Sequence, residues 1–249
     1  MTREEELESW GEGGENLMHF YFGWNGHADT LSLLRECGVS RMLVSYAILR
    51  DHAEGRWPSR ADLSRLADMD ILVDSGAFSA FRSGKPVTLD EYRAFLDMSR
   101  PERYITLDVI GDWQATLHNC RELESAGYAP IPVWHAQDPW ELLRDLTVGY
   151  PLVALGGLVP LTPTARSSVL RRIFGEHPHD YHGLGIGSPA LLRAFPWASC
   201  DSSTWDYDSI FWRVQGWPDK WTPRRRHIER ILAVEHTWRA PATQTTWSM

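Results

Sequence analysis

Eight short apolar runs, most of them separated by stretches with helical spacing, predict an α/β protein of the parallel (β/α)8 barrel, or TIM-barrel, class. Two further observations point the same way. The chain has 249 residues, the usual size of such a barrel. Several of the runs also stop on an acid or a glycine pair, and the C-terminal strand ends are where a parallel barrel collects its chemistry.

The expected strand segments are His19–Trp24, Arg41–Ile48, Asp70–Asp74, Tyr104–Val109, Pro130–His135, Leu152–Gly156, Tyr181–Gly187 and Trp197–Asp201. In the second, Met42 to Ile48 reads equally as a strand or as the core of a helix, because periodicity alone does not separate the two. Between the runs, Thr88-Leu89-Asp90-Glu91 opens a helix as a capping box, with Tyr92, Phe95 and Leu96 on one face. Trp113, Leu117, Cys120 and Leu123 mark the next helix, with Asp112 as its cap. Leu142, Leu143 and Leu146 mark another, and Val169, Leu170, Ile173 and Phe174 the one after. Past the eighth run, Ile210 to Trp221 is expected to be an irregular connector. Thr222-Pro223 then opens a basic helix that runs to about Trp238, proline being suited to the first turn. The expected organisation is an acidic leader over 1–18, a barrel over 19–209, and a Trp-rich connector, basic helix and loose tail over 210–249.

Composition narrows the function classes. A hydrophobic content of 43% with 23% charged residues describes an ordinary globular protein. No apolar run is long enough to span a bilayer, and the acidic N-terminus lacks the parts of a signal peptide. Cys37, Cys120 and Cys200 show neither zinc-ligand spacing nor a paired framework, which suits a reducing, cytoplasmic compartment. The net charge of −8 argues against general nucleic-acid affinity. It leaves room for a local basic face, with Arg224, Arg225, Arg226 and Arg230 as one candidate and Arg166, Arg171 and Arg172 as another; each cluster taken alone also reads as a solvated helix face. Thirteen tryptophans is a high count, mostly packing residues, though exposed ones can stack on unpaired bases.

Three aspartates stand out. Asp74 follows Ile71-Leu72-Val73 and precedes Ser75-Gly76, where a carboxylate is open to a ligand while the strand holds it; alternatively it caps the following turn. Asp201, in Cys200-Asp201-Ser202-Ser203, ends the eighth run; its alternative is a helix N-cap. Asp108 lies in Tyr104-Ile105-Thr106-Leu107-Asp108, an apolar run where a carboxylate is costly unless paired or at the strand mouth. His135 ends the fifth run, and no second histidine falls at ligand spacing for a metal. Gly156-Gly157 ends the sixth, where missing side chains let backbone approach a flat ligand.

In this order the runs Asp74-Ser75-Gly76-Ala77-Phe78, Leu107-Asp108, Leu155-Gly156-Gly157, Gly183 to Pro189 and Cys200-Asp201-Ser202 resemble the queuine tRNA-guanine transglycosylase superfamily, and most closely its short, phage-type members that modify DNA. The resemblance spans about residues 19 to 205. It implies a pentosyltransferase that replaces guanine in DNA with a free 7-deazaguanine base of the preQ0 type. Asp201 would be the nucleophile that forms a glycosyl–aspartate intermediate, and Asp74 the general acid/base. Ser75, Asp108, His135, Gly156, Gly157 and Gly185 would bind the base, and Arg224, Arg225, Arg226 and Arg230 the nucleic acid. No cofactor and no metal is implied. A protein partner or a homodimer is compatible with it, as is a host-cytoplasmic location for a phage-borne gene. The chain departs from the family in two ways. His135 stands where a glutamine is common, with Gln137 two positions on, and the Cys-x-Cys-x-x-Cys zinc element of the tRNA-modifying members is absent. The alternatives are a tRNA-guanine transglycosylase without its zinc module, a non-catalytic nucleic-acid-binding barrel subunit, and an unrelated two-carboxylate barrel hydrolase.

Overall fold

The computed structural model describes residues 17–52, 63, 66–207 and 212–238. The expected leader (apart from Leu17 and Met18), the C-terminal tail and part of the connector fall outside the described residues. Eight strands form one parallel sheet: β1 (His19–Trp24), β2 (Arg41–Ser45), β3 (Asp70–Asp74), β4 (Arg103–Tyr104), β5 (Val133–His135), β6 (Val153–Gly156), β7 (Tyr181–Gly183) and β8 (Ser199–Ser202). Their order is β4-β3-β2-β1-β8-β7-β6-β5. The two ends of that order meet at a parallel bridge between Ile105 and Ile131. There Ile131 N–H donates to Tyr104 O at 2.9 Å and Thr106 N–H to Ile131 O at 2.9 Å. The bridge closes the ring, so the (β/α)8 expectation holds.

Helices connect the strands: α1 (Ala28–Glu36), α2 (Tyr46–His52), α3 (Ala77–Ser83), α4 (Leu89–Ser99), α5 (Trp113–Ser125), α6 (Trp140–Gly149), α7 (Pro163–Glu176), α8 (Pro189–Ala194), α9 (Thr204–Tyr207) and α10 (Trp221–Thr237). The ambiguous second segment is both things in turn. Its strand stops at Ser45, and α2 starts at the next residue. The α4 capping box forms as expected, with Glu91 N–H donating to Thr88 Oγ1 and Thr88 N–H to the Glu91 carboxylate. Asp112 caps α5 by accepting from Ala115 N–H. The expected fourth strand is much shorter than its apolar run, because after the bridge the chain turns out to supply Asp108 at the mouth.

Side chains alternate in and out along the strands. Phe20, Phe22, Val44 and Val73 point outward into the main core beneath the helices. Tyr21, Leu43, Leu72, Ile105, Val133 and Ala154 form a separate inner cluster filling the barrel. The inner row of β3 is therefore Asp70, Leu72, Asp74, with one acid at each end. At the N-terminal end Asp70 is paired with Arg103 at 2.7 Å and accepts from Tyr21 Oη at 3.2 Å, a polar plug beneath the apolar layer. Helix α10 packs on β1, α8 and α9. Its Ile228, Ile231 and Val234 are buried, and Glu235 accepts a hydrogen bond from Phe20 N–H at 2.8 Å. Among the described residues no helix is long and apolar enough to cross a membrane.

Candidate active site

Asp74, Asp108 and Asp201 come to the same end of the barrel, each delivered by a different strand or the turn after it. Asp74 closes β3, and its Oδ2 accepts from Gly76 N–H at 3.0 Å. The turn reading of this residue is thus realised, and it is what orients the carboxyl. Gly76 adopts φ +75, and a Cβ there would collide with Ser45 and Ala47, so the turn requires glycine. Burial pushes the Asp74 pKa up to about 8, and the neighbouring charges of Asp108 and Asp201 push in the same direction.

Asp108 is buried and held from two sides. Ser75 Oγ donates to Oδ1 at 3.3 Å, and His135 Nε2 lies 3.1 Å from Oδ2. His135 is itself clamped, with Nδ1 3.5 Å from Asp138 Oδ2 and its backbone N–H donating to the same oxygen at 2.8 Å. Burial alone would lower the pKa of this imidazole, but hydrogen bonding and charge from Asp108 and Asp138 raise it to about 9. Asp108 and Asp138 on its two sides thus favour the charged form of His135. Both ring nitrogens are engaged, and the side chain is 4% exposed. It fixes Asp108 and has no nitrogen left for a ligand.

Asp201 sits on β8, in the strand itself, 8% exposed. It caps none of the described helices; its Oδ1 accepts from Gly185 N–H at 3.0 Å. Beside it lies His182, fully buried, with Nε2 3.3 Å from Asp201 Oδ1 and Nδ1 2.8 Å from Ser199 Oγ. His182 was not singled out in the sequence. Its signal was a polar residue at an inward position of a short strand, legible only once the register His182↔Ser199 is known.

The glycine runs have a second explanation in the packing. A Cβ on Gly156 would lie 2.6 Å from the His135 ring, and one on Gly157 would lie 2.6 Å from Gln137 Oε1. A Cβ on Gly185 would meet Val159 at 2.8 Å. These glycines make room for neighbouring side chains. The arginine cluster divides. Arg224 is ion-paired with Asp206 at 2.5 Å, and Asp206 also accepts from Asn25, tying the turn after β1 to α9 and α10. Arg225 pairs with Glu36 at 2.7 Å, and Arg226 lies over the Trp217 ring at 4.7 Å. Arg230 is exposed. No group of three or more metal-ligating side chains occurs among the described residues. Two surface cavities, of about 450 and 360 Å³, surround Arg100 and Pro101 at the far end of the strands, away from the three acids.

No protein-family model matches the chain, and no curated protein matches it. Solved structures do. The tryptophan synthase alpha chain of Legionella pneumophila aligns over 94% of this chain and 96% of its own, at 11% identity and a TM-score of 0.57. The tryptophan synthase of Pyrococcus furiosus aligns over 88% and 98%, at 11% identity and a TM-score of 0.55. A 4-hydroxy-2-oxoglutarate aldolase aligns over 92% and 98%, at 17% identity and a TM-score of 0.53. Identities this low establish the shared barrel and nothing finer.

These findings overturn the resemblance to the tRNA-guanine transglycosylase superfamily. With it go DNA 7-deazaguanine exchange, the two nucleic-acid alternatives and the pentosyltransferase assignment: the neighbours are synthase and aldolase barrels, and no sequence relative supports the expected family. The physical reason is that acids and glycines at strand ends are general to this architecture. Their order along the chain follows the order of the strands, so it carries the fold and leaves the reaction open.

Proposed function

We propose that the chain is an enzyme that cleaves a carbon–heteroatom bond of a small polar substrate by acid–base and nucleophilic catalysis at the C-terminal mouth, with an acetal-type glycosidic bond as the representative substrate. The observation that carries this reading is Asp74. A carboxyl that holds its proton to about pH 8, within electrostatic reach of Asp201 and Asp108, is a general acid at neutral pH beside carboxylates. In the proposed reaction Asp74 gives its proton to the leaving heteroatom, which takes the bonding electron pair. The Asp201 carboxylate forms an ester with the electron-poor carbon. Water then attacks that carbon, returning its proton to Asp74 and releasing Asp201. Asp108, held by Ser75 and His135, accepts hydrogen bonds from the substrate.

Electrostatics favours this class over its rivals. The mouth gathers Asp108, Asp138 and Asp201 against one imidazolium, so it stabilises a carbon that gains positive charge and opposes one that gains negative charge. A phosphate fits poorly, because the Gly185 N–H after β7, in the region where barrels often bind phosphate, is already donated to Asp201. Carbon–carbon cleavage through a Schiff base, one route open to aldolase-type barrels, would need an amine at the mouth. Neither of the two lysines lies on a strand, and both are exposed: Lys85 follows α3 and Lys220 precedes α10.

The test is turnover of a panel of neutral and cationic aryl glycosides beside phosphorylated sugars, together with labelling by a 2-deoxy-2-fluoro glycoside. Release from the uncharged members and a mass addition on the Asp201 peptide are expected. Turnover confined to phosphorylated substrates, or a label on another residue, would discard the reading.

A further inference from the structure

Beneath Asp201 lies an element that the proposed reaction does not use. His182 and Ser199 are cross-strand partners on β7 and β8, both pointing into the barrel and both shut off from solvent. The Ser199 hydroxyl is 2.8 Å from His182 Nδ1. That leaves Nε2 on the far side of the ring, 3.3 Å from Asp201 Oδ1, in a contact that falls short of a full hydrogen bond. Nε2 meets no other hydrogen-bonding atom. A buried ring nitrogen without a partner is unfavourable unless something compensates it. The Tyr21 ring stands edge-on to the imidazole at 6.2 Å and confines it.

We infer that His182, held in place by Ser199, is the positioning residue of Asp201; the inference rests on the nucleophile role given to Asp201 above. A carboxylate oxygen can only accept, so the nitrogen that faces it must carry hydrogen. Nε2–H therefore faces Asp201 Oδ1 at 3.3 Å, out of line for a full hydrogen bond. The Ser199 hydroxyl donates to Nδ1 when the ring is neutral and accepts from it when the ring is charged, so the orientation holds in either protonation state. Gly185 N–H holds the same Oδ1, and once Nε2–H comes into line the two donors fix the carboxylate plane and leave Oδ2 for the substrate. Other titratable groups near Asp201 are Asp74 on β3, the neighbouring Cys200 thiol and Tyr21, its cross-strand partner on β1, whose hydroxyl donates to Asp70; none of them is hydrogen-bonded to Oδ1. The 3.3 Å contact is expected to shorten when substrate closes the mouth, as catalytic hydrogen bonds in ligand-free enzymes commonly do.

The first measurement needs no variant. Imidazole nitrogen chemical shifts of His182 in the substrate-free protein report which nitrogen bears hydrogen. A protonated Nε2 is expected, and a bare Nε2 would overturn the inference whatever the substrate proves to be. The second measurement is turnover of four variants, each normalised to folded protein. His182→Leu is expected to lose about 100-fold in kcat with KM changed less than about threefold, the size of effect that follows from misplacing a reacting group by about an ångström. His182→Gln places an amide N–H where Nε2–H was and should restore kcat to within about fivefold of wild type. Ser199→Ala should fall between them. Adding Ser199→Ala to His182→Gln should cost less than Ser199→Ala costs the wild type, because the amide donor does not depend on which ring nitrogen carries hydrogen. Equal losses in the Leu and Gln variants, or losses that track stability alone, would refute the role. A wild type that turns over nothing in the glycoside panel discards the proposed reaction and leaves the tautomer result to decide the geometry.

Discussion

Asp74 and His135 are a carboxyl and an imidazole whose ordinary behaviour is displaced by their neighbours. Both are displaced toward holding a proton, which gives a pH dependence with a definite sign. Asp74 has its pKa raised from the ordinary carboxyl range to about 8. Its contribution to stability is full below about pH 4 and is lost as pH rises through about 8. His135 is raised to about 9, so its contribution is full below about pH 6.5 and lost as pH rises through about 9. The melting temperature is therefore expected to fall between about pH 4 and pH 9, most steeply where both groups contribute, between about pH 6.5 and pH 8. Asp74→Asn should flatten the part of that fall below pH 8, and a wild-type melting temperature that is level or rises over the range would contradict both shifts. Activity should also decline above about pH 8, as the acid loses its proton. Asp74→Asn is expected to lower kcat by 10² to 10⁴-fold on substrates with a poor leaving group, and much less on those that leave without a proton. Steady-state kinetics across leaving groups checks this. At Gly156 the expectation is structural. Gly156→Ala drives a methyl into the His135 ring and should free Asp108, lowering substrate affinity more than stability. KM compared with the thermal midpoint separates the two.

At the scale of single elements, the sequence carries the chemistry that depends on near neighbours. The Thr88–Glu91 box and the Asp112 cap depend on residues three apart, and both form as expected. Thr88→Ala should cost about 1 kcal/mol in denaturant unfolding. The end of α4 carries no such signal. Arg100 takes a left-handed conformation, φ 47, before Pro101, where glycine would ordinarily stand. Arg100→Gly is therefore expected to stabilise the protein by about 1 kcal/mol, measured by the same unfolding experiment. The boundary at Ser45–Tyr46 also escaped the sequence, because an apolar run satisfies a strand and a buried helix equally. The barrel decides it. Ser45 is the last β2 residue with a partner on β3, and beyond it the chain has no ladder left to join.

For the whole molecule, one long-range bridge completes the ring and one helix covers its opposite side. The Ile105–Ile131 bridge joins β4 to β5. Ile131→Pro removes the hydrogen bond to Tyr104 O and should cost about 3 kcal/mol or more, with amide exchange rising first in β4 and β5. Unchanged exchange there would mean that the sheet is closed by other contacts. At the other side, α10 seals β1 through buried Ile228, Ile231 and Val234 and through Glu235. The sequence marked this helix by its arginines as a nucleic-acid face. The tertiary structure pairs Arg224 and Arg225 with Asp206 and Glu36, acids that lie 18 and 189 residues away along the chain.

What the sequence determined by itself was the pattern that local spacing carries: eight apolar runs, the helices between them, their caps, and the strand ends on which acids and glycines fall. That pattern was enough for the barrel and for the end of it where Asp74, Asp108 and Asp201 meet. What only the tertiary structure decided was how those residues behave: Asp74 protonated, His135 consumed by Asp108 and Asp138, Gly156 shaped by His135, and His182 set behind Asp201. Each of these depends on the distance and burial of groups far apart in the chain. Electrostatic energy varies steeply with both, while the order of residues along a sequence records neither.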